Sequence, residues 1–69
     1  MHEDEILIGA RVKALRLKLG YTTKQMSDKT HISEKRLILL ENGDVNSIRL
    51  SELYKIVRIG NQSIEEFFK

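Results

Sequence analysis

Residues 29–43 read KTHISEKRLILLENG. Four apolar residues, Leu37, Ile38, Leu39 and Leu40, follow one another between charged neighbours. Ser33 is a sound helix N-cap, and Ile32 before it can anchor the entry of the chain. Asn42-Gly43 supplies a stop. A helix between these signals places Leu37 and Leu40 on one face, where they belong in a core. Ile38 and Leu39 then sit at about 100° and 200° from Leu37 around the helix axis. At least one of them must leave the core, and what it touches bears directly on function.

Working outward, the segment TTKQMSDKT begins at Thr22. Thr22 can cap a helix, and Gln25 three residues later fits a capping box. Met26 is its inward residue and Lys29 lies near its end. Such a helix is marginal alone and must lean on neighbours. Only Thr30, His31 and Ile32 separate it from the next helix, with His31 as a turn residue. Two short helices across so tight a corner read as a helix-turn-helix.

Further out, Ile8, Val12, Leu15 and Leu19 recur at helical spacing within residues 6–19. Gly20 follows as a good C-terminal stop. After Gly43, Asn46 and Ser47 are equally good caps for a fourth helix. Leu50, Leu53, Ile56 and Val57 line its inner face, and its end falls near Gly60-Asn61. Ser63 caps a final short piece, with Glu66 completing a second capping box. Ile64, Phe67 and Phe68 close the core or extend it. Nothing alternates convincingly like a strand. The expected fold is all-α, a compact bundle of five short helices in one domain over residues 6–68, preceded by an acidic tail, residues 1–5.

Composition narrows the classes. The chain has 69 residues, 41 % of them hydrophobic, enough for one compact core. It has no Cys, so neither a disulfide nor a thiolate is available. No apolar run approaches the roughly 18 residues of a membrane span. The start is acidic, unlike a secretory signal, and a cytoplasmic location is the expectation. The net charge of +2 permits contact with nucleic acid without announcing it. The bases are unevenly spread: Arg11, Lys13, Arg16 and Lys18 crowd the first helix.

The ordered set of residues resembles the lambda-repressor-like, Cro/C1-type (XRE-like) helix-turn-helix domains of bacteria and phages. The resemblance spans residues 8–68, and the run 22–43 matches in length without a gap. Met26 fills the usual Leu position and Ser27 the usual Ala. Ile32-Ser33 stands for the family's Val-Ser, and Glu41-Asn42-Gly43 for its ending. Ile8-Gly9, Arg11, Leu15, Arg16 and Gly20 match the first helix; Leu53, Lys55, Ile56, Ser63, Ile64 and Glu66 match the last two.

The resemblance implies a small transcriptional regulator that binds double-stranded DNA, with the third helix in the major groove. It places Glu34, Lys35, Ile38 and Leu39 against base edges, and Thr23, Lys24, Ser33, Arg36 and Asn42 against phosphates. It also implies an ion pair between Arg16 and Glu41 that ties the first helix to the third. Lys35 can bond to guanine O6 or N7, Glu34 can accept from cytosine N4, and an apolar side chain can meet a thymine methyl. The chain departs from the family pattern in four places. The family has polar or basic residues at positions 38 and 39, Gln at 23 and often a base at 44. Here stand Ile38, Leu39, Thr23 and Asp44. The changes at 23 and 44 remove phosphate contacts, which dominate affinity. Two copies reading a palindromic operator make a homodimer the expectation.

A second reading stays open beside this one. In it the same fold docks onto another regulatory protein through an apolar edge at Ile38 and Leu39, or through Tyr54, Phe67 and Phe68. Enzyme readings are weak. His2 and His31 stand far apart with no Cys, so no metal-ligand pattern exists. The serines lack a base and orienter, and the four glycines form no phosphate loop. No cofactor and no small-molecule site is expected.

Overall fold

The computed structural model describes residues 3–44 and 48–68. Five helices lie among them: α1 Glu3–Leu19, α2 Thr23–Thr30, α3 Glu34–Asn42, α4 Leu50–Ile59 and α5 Ile64–Phe67. All five match the expected set. Helix α1 begins at Glu3, earlier than the apolar period that starts near Ile6. Residues 3–5, read from the sequence as part of an acidic tail, lie within this helix.

Local chemistry sets most of the boundaries. The Thr22 hydroxyl accepts from the Gln25 N–H, and the Gln25 side chain accepts from the Thr22 N–H, closing the first capping box. Ser63 and Glu66 form the second in the same way. The Ser33 hydroxyl accepts from the Arg36 N–H at the head of α3. Gly43 ends α3 in the left-handed region, with its N–H donating to the Leu40 carbonyl. His31 adopts the same unusual backbone after α2, φ 62°, a conformation His tolerates better than β-branched residues do.

The fourth helix departs from expectation at its start. It opens at Leu50, with Arg49 in the N-cap position and the Glu52 carboxylate accepting from the Arg49 N–H. Asn46 and Ser47, the expected caps, lie outside the described residues. Leu50 is 58 % exposed rather than inward. It shares an angular face with Leu53, but as the first residue of the helix it stands a turn beyond the edge of the core.

The core gathers a few side chains from every element. Val12 and Leu15 of α1, Met26 of α2, Ile32 of the turn and Leu37 and Leu40 of α3 are buried with Leu53, Ile56 and Val57 of α4 and Phe67 of α5. Ile8, Leu19, Leu39 and Ile64 pack against this cluster, partly buried. Thr30 is buried too, and its hydroxyl does two jobs. It donates to the Met26 carbonyl at 2.8 Å and accepts from the Ile32 N–H, so the corner between α2 and α3 leaves these polar groups paired.

Candidate nucleic-acid interface

Helix α3 lies across α1 and α2, and its inner face is fixed by Leu37 and Leu40. Its outward residues follow from the helical period. Glu34, Ile38 and Asn42 recur every four positions, Lys35 lies beside them, and all four are exposed. At about 100° per residue they form one stripe roughly opposite the buried pair. Ile38 is therefore the residue of the apolar run that leaves the core, 43 % exposed. Leu39 lies on the flank, half-buried against the core. The resemblance set both residues against base edges, and of the two Ile38 is the more exposed.

Two arginine–glutamate pairs hold this helix. From α1, the Arg16 guanidinium donates twice to Glu41, at 2.8 and 2.9 Å, and a third time to the Tyr21 carbonyl. The side chains are 12 % and 5 % exposed, so the pair is buried. The hydrogen bond to Glu41 raises the Arg16 pKa further above its already high ordinary value, and burial opposes it. The structure thus brings together the two residues that family resemblance alone had joined.

The second pair was not anticipated. Arg36 of α3 donates to both carboxylate oxygens of Glu52, at 2.9 and 3.0 Å. That hydrogen bond holds Glu52 below the usual glutamate range, against the opposite pull of burial. Arg36 was expected at phosphate; here its guanidinium ties α3 to α4. No sequence signal distinguished Glu52. A carboxylate three residues into a helix is already accounted for by its cap.

Thr23 and Glu34 also meet. The Thr23 hydroxyl, on the first residue of α2, donates to Glu34 Oε2 at 2.6 Å, on the first residue of α3. Lys24, Ser33 and Lys35, their neighbours in sequence, are exposed, as is Asn42 at the far end of α3. Two of the four bases of α1 are engaged internally: Arg16, as above, and Arg11, which donates to the Phe67 carbonyl at 2.9 Å. Lys13 and Lys18 face solvent.

The residues considered for a protein interface are scattered. Tyr54 and Phe68 are exposed, but Phe67 is buried, 5 % exposed, and cannot serve as an open contact. Phe68 stacks edge-on against Phe67, with ring centroids 5.3 Å apart. It lies beside Leu7, Ile8 and Arg11, away from the Ile38 stripe in sequence. Among the described residues no cluster of His, Asp or Glu could hold a metal ion. No helix among them is long and apolar enough to cross a membrane.

The helix-turn-helix family's sequence pattern matches residues 12–67, which takes in all of α2, α3 and α4 and the corner between α2 and α3. The chain belongs to the helix-turn-helix family. A relative from Archaeoglobus fulgidus, an uncharacterized HTH-type transcriptional regulator, is 36 % identical over 59 residues, covering 84 % of this chain and 81 % of the relative. No solved structure matches the chain. Helix-turn-helix regulators are typically not enzymes, in agreement with the weak enzyme readings of the sequence.

Proposed function

We propose that this helix-turn-helix protein is a Cro/C1-type transcriptional regulator that binds double-stranded DNA sequence-specifically, with α3 in the major groove. The observation that carries this reading is the outward stripe of Glu34, Lys35, Ile38 and Asn42 on a helix whose other side is locked by two ion pairs. A helix that reads base edges needs a rigid seat and side chains that stand clear of it. The A. fulgidus relative's designation as a transcriptional regulator supports the same reading.

Lys35 donates to guanine O6 or N7, and Ile38 packs on a thymine methyl. Lys24, Ser33 and Asn42 hold phosphates. Ser33 can do so while capping α3, because its oxygen accepts from Arg36 and its proton remains to donate. Arg36 serves the helix's seat. Acting in the cytoplasm as a homodimer, two copies present two such helices to a palindromic site. Tyr54 and the Leu7–Phe68 edge are apolar surface open to the second copy.

Selection of the purified protein on a randomised duplex library, at near-physiological salt, tests the reading. An enriched site whose affinity falls more than about tenfold in Lys35→Glu, with an unchanged circular dichroism spectrum, is the expected result. A library that returns no enriched site overturns it.

A further inference from the structure

The chain has three asparagines, and one of them, Asn42, is followed by glycine. An asparagine side chain can be attacked by the backbone nitrogen of the residue after it. Glycine obstructs that attack least, because it has no Cβ. Here the nitrogen is that of Gly43 and the target is Asn42 Cγ. A bond forms between them, the Cγ–Nδ2 bond breaks, and ammonia leaves. The product is a five-membered imide ring, which water opens at either of its two carbonyls. One opening leaves aspartate at position 42. The other leaves isoaspartate, with the chain running through the former side chain. In sum, an amide and a water become an acid and ammonia.

The fold sets two brakes on this reaction. Asn42 is the last residue of α3, and a helical ψ of about −42° turns the following nitrogen away from Cγ. Ring closure requires rotation out of the helical region at this residue. Gly43 is also buried, and its N–H donates to the Leu40 carbonyl at 3.1 Å. The next N–H, of Asp44, donates to the Leu39 carbonyl at 2.9 Å. The attacking nitrogen must therefore leave both its shelter and its hydrogen bond. The residues just before it are pinned. Glu41 is paired with Arg16, and Gly9 of α1 lies so close to the Leu40 carbonyl that a Cβ would not fit. Opening can thus be confined to residues 42–44, a local event that costs less than unfolding.

We propose that Asn42-Gly43 is a deamidation site gated by local opening of the end of α3, and that its conversion switches off DNA binding. The switching rests on the reading of α3 as the groove helix with Asn42 at phosphate; the modification itself does not. The new carboxylate stands between Glu41 and Asp44 in the sequence, at the negative end of a helix dipole. It repels phosphate where the amide bonded to it. The isoaspartate form also adds one carbon to the backbone path and draws the Gly43 N–H off the Leu40 carbonyl.

The test incubates the purified protein at physiological temperature and mildly alkaline pH. Peptide mapping by mass spectrometry locates the change from amide to acid, and ion exchange isolates the converted protein. Asn42 is expected to convert ahead of Asn46 and Asn61, which precede Ser47 and Gln62. Its conversion is expected to be at least about tenfold slower than in the same chain unfolded in urea, since it proceeds from the open state alone. Gly9→Ala, which crowds the seat of α3, is expected to bring the rate closer to that of the unfolded chain. The isolated product is expected to bind the library's enriched duplex about tenfold more weakly than fresh protein. Asn42→Gln, whose longer side chain disfavours ring closure, is expected to keep its starting affinity through the same incubation.

Conversion of Asn46 or Asn61 ahead of Asn42 in the folded protein overturns the site. Equal rates in the folded and unfolded chains, or no acceleration in Gly9→Ala, overturn the gate. A converted protein that binds as tightly as fresh protein overturns the switch and leaves the groove reading standing. Fresh protein that binds no duplex overturns the groove reading and the switch with it, while the mass measurement still decides the site.

Discussion

Gly9 shows how one residue without a side chain can fix the distance between two helices. It lies within α1, where Gly costs about 0.5–1 kcal/mol relative to Ala, so helix propensity alone favours replacing it. A Cβ at this position would overlap the Leu40 carbonyl oxygen and stand 3.1 Å from the Glu41 carbonyl oxygen. Both are backbone atoms of α3 and cannot rotate aside. Steric exclusion therefore outweighs propensity, and Gly9→Ala is expected to cost about 2–3 kcal/mol. In a domain this small that lowers the melting temperature by roughly 10 °C or more. Gly60 is the control. Its added Cβ would meet Leu15 Cδ1 at 2.7 Å, the far end of a flexible side chain, and Gly60→Ala is expected to cost less than about 1 kcal/mol. Urea denaturation of both variants checks the pair. Equal stability of the two would mean that α1 and α3 do not approach as described. The sequence offered Gly9 only as a family match, because the close approach depends on a helix more than thirty positions away.

At the scale of elements, α3 is held from two sides by pairs of different depth. The Arg16–Glu41 pair is the deeper, and removing Glu41 leaves a buried guanidinium without its counter-charge. Glu41→Ala is expected to cost about 3–5 kcal/mol, whereas an apolar replacement of both partners, Arg16→Met with Glu41→Leu, is expected to recover most of the loss. A double-mutant cycle by chemical denaturation measures the coupling directly; additive single losses would sink the claim that the two act as a unit. The Arg36–Glu52 pair is more exposed on its arginine side and is expected to show itself through pH. Glu52 has a folded pKa below its unfolded value. Its contribution is therefore fully present above the ordinary glutamate value of about 4.3 and is lost as pH falls through the lower folded value. Wild type should lose stability across that acid range, and Glu52→Gln should start lower and lose less there. Identical slopes of stability against pH for both proteins would show that Glu52 is not held by Arg36 in solution. The caps at Thr22, Ser33 and Ser63 were legible in the sequence because each joins a good capping residue to a partner three positions on, whereas Arg49, which heads α4, carries no such side-chain signal. The two clamps join residues 25 and 16 apart. The first came from family resemblance, and nothing local marked the second. The Thr23–Glu34 bond, 11 apart, was hidden for the same reason.

The whole molecule measures 27 × 26 × 20 Å and has no disulfide to constrain its unfolded state. Its core draws one to three side chains from each helix, so no helix stands without the others, and unfolding should be a single cooperative event. Domains of this size hold only a few kcal/mol of net stability. A ligand that binds the folded state alone then has a large effect on melting, because it adds RT ln(1 + [L]/Kd) to a small total. At a free duplex concentration of about 100 times Kd the gain is about 2.7 kcal/mol. In a domain of 60–100 residues that corresponds to a rise of roughly 10–20 °C in melting temperature. The selected duplex is expected to produce a rise of that size. A scrambled duplex of equal length should give much less at the same salt, and its smaller effect should vanish as salt increases, since only phosphate contacts support it. Equal shifts from both duplexes would show that the outward stripe of α3 carries charge attraction without base discrimination. No shift from either would mean that this surface does not meet DNA in the folded protein.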